Sequence, residues 1–292
     1  MEQYIEKQLN EGYNADLNKL FDEWLASYEA DERHLFCKDG LVVKYKEENS
    51  GYDINEKWHE AERKIMFIVK DCPDRWEHDT RRLLVGYEND EKSQRNALKT
   101  RNLKGRTGHF KNIARMLYGL WNMTENNKGE ELNEQAKSDD AIIRAFNDIP
   151  FAYVEAKKLA GGKGCTPARL RKALERDGEF LSREINILRP NIIVCCDSNG
   201  DVFNSVVKNY FQGQVPCVDD QWDYVYELED GRRCNFGCKL YYYKKKGVLL
   251  FQSYHPTRLG KPEWQIYERV LSPFRRFFSK YKDFDVVSSV IV

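Results

Sequence analysis

No run in this 292-residue chain approaches the about 20 consecutive apolar residues of a membrane-spanning helix, so a bundle of membrane helices is excluded. The opening MEQYIEKQL is acidic and lacks the basic-then-apolar order of a secretory signal, and a cytosolic location is expected. Net charge is missing as well, because 47 Lys and Arg cancel 47 Asp and Glu. The bulk field therefore steers nothing toward nucleic acid or membrane, and such a partner has to be met by a local patch. None of the eight cysteines (Cys37, Cys72, Cys165, Cys195, Cys196, Cys217, Cys234, Cys238) forms a Cys-x-x-Cys pair, which excludes the commonest zinc-ribbon and dithiol patterns. Reduced core thiols are expected. Cys217, Cys234 and Cys238 remain as a zinc alternative, at poor spacing and with no histidine near. There is no internal repeat.

What is present is a core: 41% hydrophobic residues suffice for one large domain or two small ones. From Asn14, a candidate N-cap, Leu17, Leu20, Phe21, Trp24, Leu25 and Tyr28 recur at helical spacing. Residues 34–45 (HLFCKDGLVVKY) set a Lys-Asp-Gly turn between apolar stretches and predict a short hairpin. These elements form an N-terminal extension over 1–60, ahead of a main domain over 61–292. There, continuous apolar runs at 65–69, 151–154, 192–196 and 248–251 read as strands buried on both faces. Helical patterns lie between them at 110–120 and 141–146. The clearest begins at Thr166 with Pro167 in its first turn, carries Leu170, Leu174, Leu181, Ile185 and Leu188, and stops at Arg189-Pro190.

This alternation predicts an α/β fold of three layers, α/β/α, around a central, mainly parallel four-stranded sheet. Residues 218–247 break it with aromatic period-two stretches around Glu229-Asp230-Gly231, and read as a β-hairpin insertion. Residues 125–140 are polar without a packing period and read as a mobile surface loop.

Ligands of parallel sheets bind beyond the carboxyl ends of the strands. The four segments there are Lys70-Asp71-Cys72-Pro73-Asp74-Arg75-Trp76, Glu155 with Lys157, Lys158 and the Gly161-Gly162-Lys163-Gly164 loop, Asp197-Ser198-Asn199-Gly200, and Ser253-Tyr254-His255-Pro256-Thr257-Arg258. Carboxylates, a histidine and a Gly-rich loop thus converge on one rim. The loop lacks the residue order of a nucleotide-binding P-loop.

The order of these segments, from about Ile65 to Phe278, resembles the uracil-DNA glycosylase superfamily. HPT after an apolar strand, and FLSREINILRPNIIVCC, similar to that family's "fL..EI..l.P..Iv..G", are the strongest pieces. KDCPD is similar to the GEAPG form of the first motif. The chain departs from the family at Lys70, Asp74 and Asp197, where glycines are usual, and it has no cysteine set like the iron-sulfur ligands of one branch. An outlying member without cofactor or metal is implied.

What the resemblance implies is a monofunctional glycosylase that hydrolyses the N-glycosidic bond of a flipped-out base in DNA. Such cleavage places positive charge on the sugar and negative charge on the base, and Asp71 and His255 stand for the groups that stabilise them. Asp71 can equally orient the water, or merely cap a helix near Pro73, and His255 can be a packed turn residue. Glu155 stands where the family carries the asparagine that reads uracil. An acid there suits the reversed donor and acceptor edge of a cytosine-type base, modified so that ordinary cytosine is spared.

Trp76, Phe110 and Cys72 are the other base-binding candidates, with Phe110 also readable as a core aromatic and Glu155 as a partner of Lys158 outside any pocket. Gly162, Lys163, Ser198, Asn199, Thr257 and Arg258 are the expected DNA contacts, although the Gly-rich loop can be a plain connector. Basic residues concentrate at 99–115, at 157–176 and at Arg258, and acidic ones at 125–140 and 218–230, which permits a DNA-binding face. A monomer acting in repair, or in defence against modified phage DNA, is expected. The alternatives are a nucleoside or nucleotide N-glycosidase and a nucleic-acid-binding module without catalysis.

Overall fold

The structure is a computed structural model that describes residues 1–72, 78–104, 108–124, 126–161, 165–227, 233–257 and 263–281. In chain order these hold α1 (Glu2–Asn10), α2 (Gly12–Ala26), β1 (Gly40–Leu41), α3 (Ile54–Glu60), β2 (Ile65–Asp71), α4 (Glu91–Arg101), α5 (His109–Asn122), α6 (Glu130–Lys137), α7 (Asp139–Asp148) and β3 (Ala152–Lys157). There follow α8 (Pro167–Leu188), β4 (Ile192–Cys196), α9 (Asp201–Asn209), β5 (Val218–Glu227), β6 (Arg233–Tyr243), β7 (Val248–Ser253) and α10 (Glu263–Lys280).

The fold is mixed α/β, with one sheet in the order β1-β3-β2-β4-β7-β6-β5. The four apolar runs become β2, β3, β4 and β7, all parallel where they pair. The expectation of a four-stranded sheet is corrected to seven strands, because both edges are extended antiparallel. β1 adds beside β3, and the β5–β6 hairpin continues β7 through pairs such as Tyr242 with Leu249.

Side chains of β2 alternate between two apolar clusters, as the period of a strand dictates. Ile65, Phe67 and Val69 join Met116 of α5, Phe146 of α7 and Phe274 of α10. Met66 and Ile68 join Trp24 of α2, Trp58 of α3, Ile185 of α8 and Phe203 of α9. The Trp24 ring stacks on Phe180 of α8 at 5.2 Å and so ties the N-terminal helices to the main body. Truncating a buried ring of this kind costs about 3–5 kcal/mol.

Helix α8 starts as its sequence predicts, with the Thr166 hydroxyl accepting from Arg169 N at 3.3 Å and Pro167 in the first turn. It ends on Arg189 in the left-handed region at φ 49°.

Three local expectations are corrected. Asn14 does not cap α2, which starts at Gly12; its buried side chain donates to Gln8 O at 3.1 Å and fastens α2 to α1. Residues 34–45 form no hairpin, since their polar backbone groups pair with distant chain. Cys37 N donates to Lys158 O at 2.8 Å and Lys38 N to His78 O at 2.8 Å. The stretch 125–140 contains α6, whose Leu132 and Ala136 are buried one turn apart. Two apolar residues at i and i+4 suffice to dock a short helix but are too few to show a period. Among the described residues no helix is long and apolar enough to cross a membrane.

Candidate functional site at the carboxyl rim of the parallel strands

Register places the site. Val69 of β2 pairs with Glu155 of β3, Ile68 with Cys195 of β4, and Cys196 with Ser253 of β7, so Glu155, Val69, Cys196 and Ser253 form one rung. Asp71, paired with Lys157, stands two residues further along, at the rim. His255 follows β7 by two residues, and its turn is pinned to α5 by Asn112 Nδ2 donating to Pro256 O at 2.8 Å. Asp71 and His255 therefore stand above a floor on which Glu155 is the charged residue type.

Glu155 is fully buried, and among the described residues neither carboxylate oxygen has a hydrogen-bond partner. Burial pushes its carboxyl well above the usual range, the charges of Cys72, Asp39 and Asp71 add to this, and Lys158 only partly offsets them. Pairing with Lys158, the alternative role for Glu155, is not what the geometry provides. The Lys158 ammonium contacts Asp39 Oδ1 and Oδ2, both at 2.6 Å, and Glu184 Oε2 at 2.8 Å. An unsatisfied buried polar group costs about 1–3 kcal/mol, so the orphan carboxyl of Glu155 on β3 is held at the expense of stability.

His255 Nδ1 accepts from the Thr257 hydroxyl at 2.6 Å and from Thr257 N at 3.3 Å. A backbone N–H can only donate, so the neutral ring carries its proton on Nε2 and offers it as a donor. Burial, with the Lys70 charge adding, lowers the His255 pKa to about 4, which keeps the ring neutral at physiological pH.

A second imidazole, not among the residues the sequence singled out, joins the site. The His109 ring lies 5.4 Å from that of His255, and its Nε2 is 3.0 Å from Tyr153 Oη. Burial, then the His255 charge, lowers its pKa to about 3. Its one sequence signal is its place beside Phe110 in a chain with only five histidines. Tyr153, two residues before Glu155 on the same strand face, had the period-two signal. Phe110 is half-buried against Tyr153 (6.1 Å) and Phe146 (5.9 Å), so it is both a core aromatic and a wall near the histidines.

Both histidines would take up protons at about 6.5 when unfolded, whereas the folded chain refuses them until about 4 and about 3. As pH falls below about 6.5 the unfolded state gains protons that the folded state lacks, so each histidine destabilises the fold toward acid. His109→Gln removes one such group. The stability of the variant relative to wild type should improve, by up to about 1.4 kcal/mol per pH unit, as pH falls from about 6.5 toward 3. Urea midpoints across that range test this, and a constant difference would refute it.

Cys72 is fully buried and forms a small cluster with Cys37 and Ala160, and its proximity together with burial pushes the Cys37 thiol well above its usual range. Asp197, where a glycine was expected, has its Oδ2 accepting from Asp201 N at 2.7 Å, which closes the turn before α9. That turn leaves Ser198 half-buried and Asn199 exposed at the rim. It needs Gly200 at φ +79°, where a Cβ would come 2.7 Å from Gln252 Nε2. Thr257, expected at the DNA, serves His255. Trp76, Gly162, Lys163 and Arg258 lie outside the described residues, as does the Glu229-Asp230-Gly231 turn.

The basic residues divide. Arg115 pairs with Glu263, Lys111 with Asp139 and Arg171 with Asp201, so their charges are partly spent. Burial and then the Asp71 charge push the Cys165 thiol up, while the Lys157, Lys70 and Arg169 charges act against them. Among the described residues no group of three or more His, Cys, Asp or Glu is arranged to hold a metal, and Cys217 is exposed with its thiol 3.3 Å from Tyr242 O. A hollow of about 420 Å³, lined by Tyr13, Asp16, Asn186, Ile187 and Arg189, opens at the opposite end of the sheet, where α8 leads into β4. Its walls are largely exposed and hold no orphaned buried group. No family model and no curated protein matches the chain.

Proposed function

We propose that this protein is a metal-free DNA glycosylase of the uracil-DNA glycosylase type, with four parallel strands at the centre of a three-layer α/β/α body. Its substrate is a flipped-out, non-standard base of the cytosine type. The observation that carries the reading is Glu155, fully buried and with both carboxylate oxygens unpartnered among the described residues, on the rung beneath Asp71. Asp71 lies two residues beyond that rung, about 6.6 Å along a strand.

Asp71 at the rim faces the sugar, where its carboxylate stabilises developing positive charge and orients the attacking water. His255 donates from Nε2 to the base O2 as negative charge builds there. Being neutral, it stabilises that charge by a hydrogen bond. Glu155, protonated, donates to N3 and accepts from the N4 amino group, so both polar positions of a cytosine edge are met. Uracil and thymine present N3–H and O4 instead and leave Glu155 with mismatched groups. A 5-substituent, or a mismatch that eases flipping, separates the substrate from ordinary cytosine. Cells could use this in repair or against phage DNA carrying modified bases.

The test is incubation of the protein with duplexes carrying cytosine, 5-substituted cytosines, uracil or thymine, scoring abasic sites as alkali-labile breaks. Breaks at a modified cytosine ahead of uracil are expected. Cleavage of free nucleosides only, or DNA binding without base loss, would replace the reading by one of its two alternatives.

Binding should weaken with salt, log K falling linearly with log[salt] by about 0.9 for each phosphate neutralised. Lys163→Ala and Arg258→Ala should each flatten that slope by about 1 and weaken all sequences alike. Salt-independent affinity would favour the free-nucleoside reading.

A further inference from the structure

The N-terminal segment reaches into the site at one residue. Asp39, just before β1, is fully buried; its Oδ2 accepts from Glu155 N at 2.6 Å, and both its oxygens contact the Lys158 ammonium. Glu184 of α8, also fully buried, takes the third contact of that ammonium. A lysine has three N–H donors. All three are therefore spent on Asp39 and Glu184, and none is left for Glu155.

We infer that Asp39 is the specificity-setting positioning residue of this site: by holding Lys158 to itself it keeps Glu155 a neutral, hydrogen-donating acid, and so commits the pocket to bases with an acceptor at N3 beside an amino group. The inference rests on the glycosylase reading for its substrate, but not for its chemistry. Burial, with the Asp39 charge adding, pushes the Glu184 carboxyl well above its usual range, so the Lys158 charge is balanced within this triad and no positive charge is left over for Glu155. An isolated carboxylate in a low-dielectric site neutralises rather than bear the desolvation cost, and a neighbouring anion makes ionisation harder still.

The other titratable groups around Glu155 do not alter that balance. Asp71 and Cys72 at the end of β2 and Tyr153 on its own strand are acids, as are Cys37 beside Cys72 and Cys196 on the same rung. His109 of α5 and His255 after β7 are neutral at physiological pH. Lys158 is the cation that acts on Glu155 most directly, and its partners determine whether Glu155 is ionised.

Infrared difference spectroscopy reads this without substrate. At pH 8, wild type minus Glu155→Gln should show the C=O stretch of one protonated carboxylic acid. Asp39→Asn keeps the shape of the side chain but frees the Lys158 charge. It should lower the ionisation midpoint of Glu155 by about 1–3 pH units, the effect of a nearby opposite charge. Glu184→Gln, which leaves the Glu155 amide contact intact, weakens the other hold on Lys158 and should move it the same way by a smaller amount, because the buried Glu184 carboxyl is itself raised well above its usual range. In base release, Asp39→Asn should shift the alkaline limb of the pH profile downward by the same amount.

An ionised Glu155 in the wild type at pH 8, or a midpoint unmoved in both variants, would overturn the inference. If Asp39→Asn does not fold, the wild-type spectrum and Glu184→Gln still decide. Absence of base release from every DNA would overturn the glycosylase reading while leaving the Glu155 proton measurable.

Discussion

His255→Ala and Asp71→Asn should each lower single-turnover base release by roughly 10²–10³, because each removes one preorganised polar group aimed at charge that exists only in the transition state. Neither side chain belongs to the two apolar clusters that hold the layers together. His255 is partly buried and held by its neighbour Thr257, and Asp71 is half-buried on the last residue of β2. Thermal midpoints and DNA affinity should therefore change little while the rate collapses. His255→Ala should lose the contribution to the leaving base, whereas Asp71→Asn keeps the shape and loses the charge that faces the sugar. The two losses act on the same transition state and need not add. Thr257→Val gives an intermediate result, because it removes the hydroxyl that orients the ring but leaves the backbone donor to Nδ1. Wild-type rates in both His255→Ala and Asp71→Asn would dismiss the mechanism.

Glu155→Asn should exchange one specificity for another. The protonated acid offers a donor and an acceptor in the order a cytosine edge needs, while the amide can turn so that it accepts from N3–H and donates to O4 of uracil. A site built to hydrogen-bond one pattern rejects the other by roughly 10⁴–10⁵, because the mismatch leaves buried groups unpaired. The variant should lose most of its action on the modified cytosine and gain release of uracil. Competition between the two substrates in one reaction measures the exchange directly. An unchanged preference would mean that Glu155 does not touch the base, and its orphaned oxygens would need another explanation.

The sequence by itself determined the elements whose causes are local. Four continuous apolar runs read as strands buried on both faces, and they are the parallel part of the sheet. Thr166 and Pro167 mark the start of α8, since cap and first-turn chemistry act within one turn. With the strands assigned, the segments after them had to share one rim, which brought Asp71, Glu155 and His255 into view as candidates.

Tertiary structure decided what depends on residues far apart in the chain. Lys158 looks like a natural partner for Glu155 three residues away, yet β3 is extended, and the ammonium is claimed by Asp39, 119 residues distant, and by Glu184. Asp39 itself reads as part of a turn until β1 lies down beside β3. His109 becomes a site residue only when α5 is pinned to the His255 turn by Asn112, 144 residues from its acceptor. Hydrogen bonds and ion pairs at such separations leave no periodicity behind, because the chain between them sets no phase. Hydrophobic alternation could therefore fix which residues face inward, while the partner of each buried charge was chosen only when the layers closed on one another.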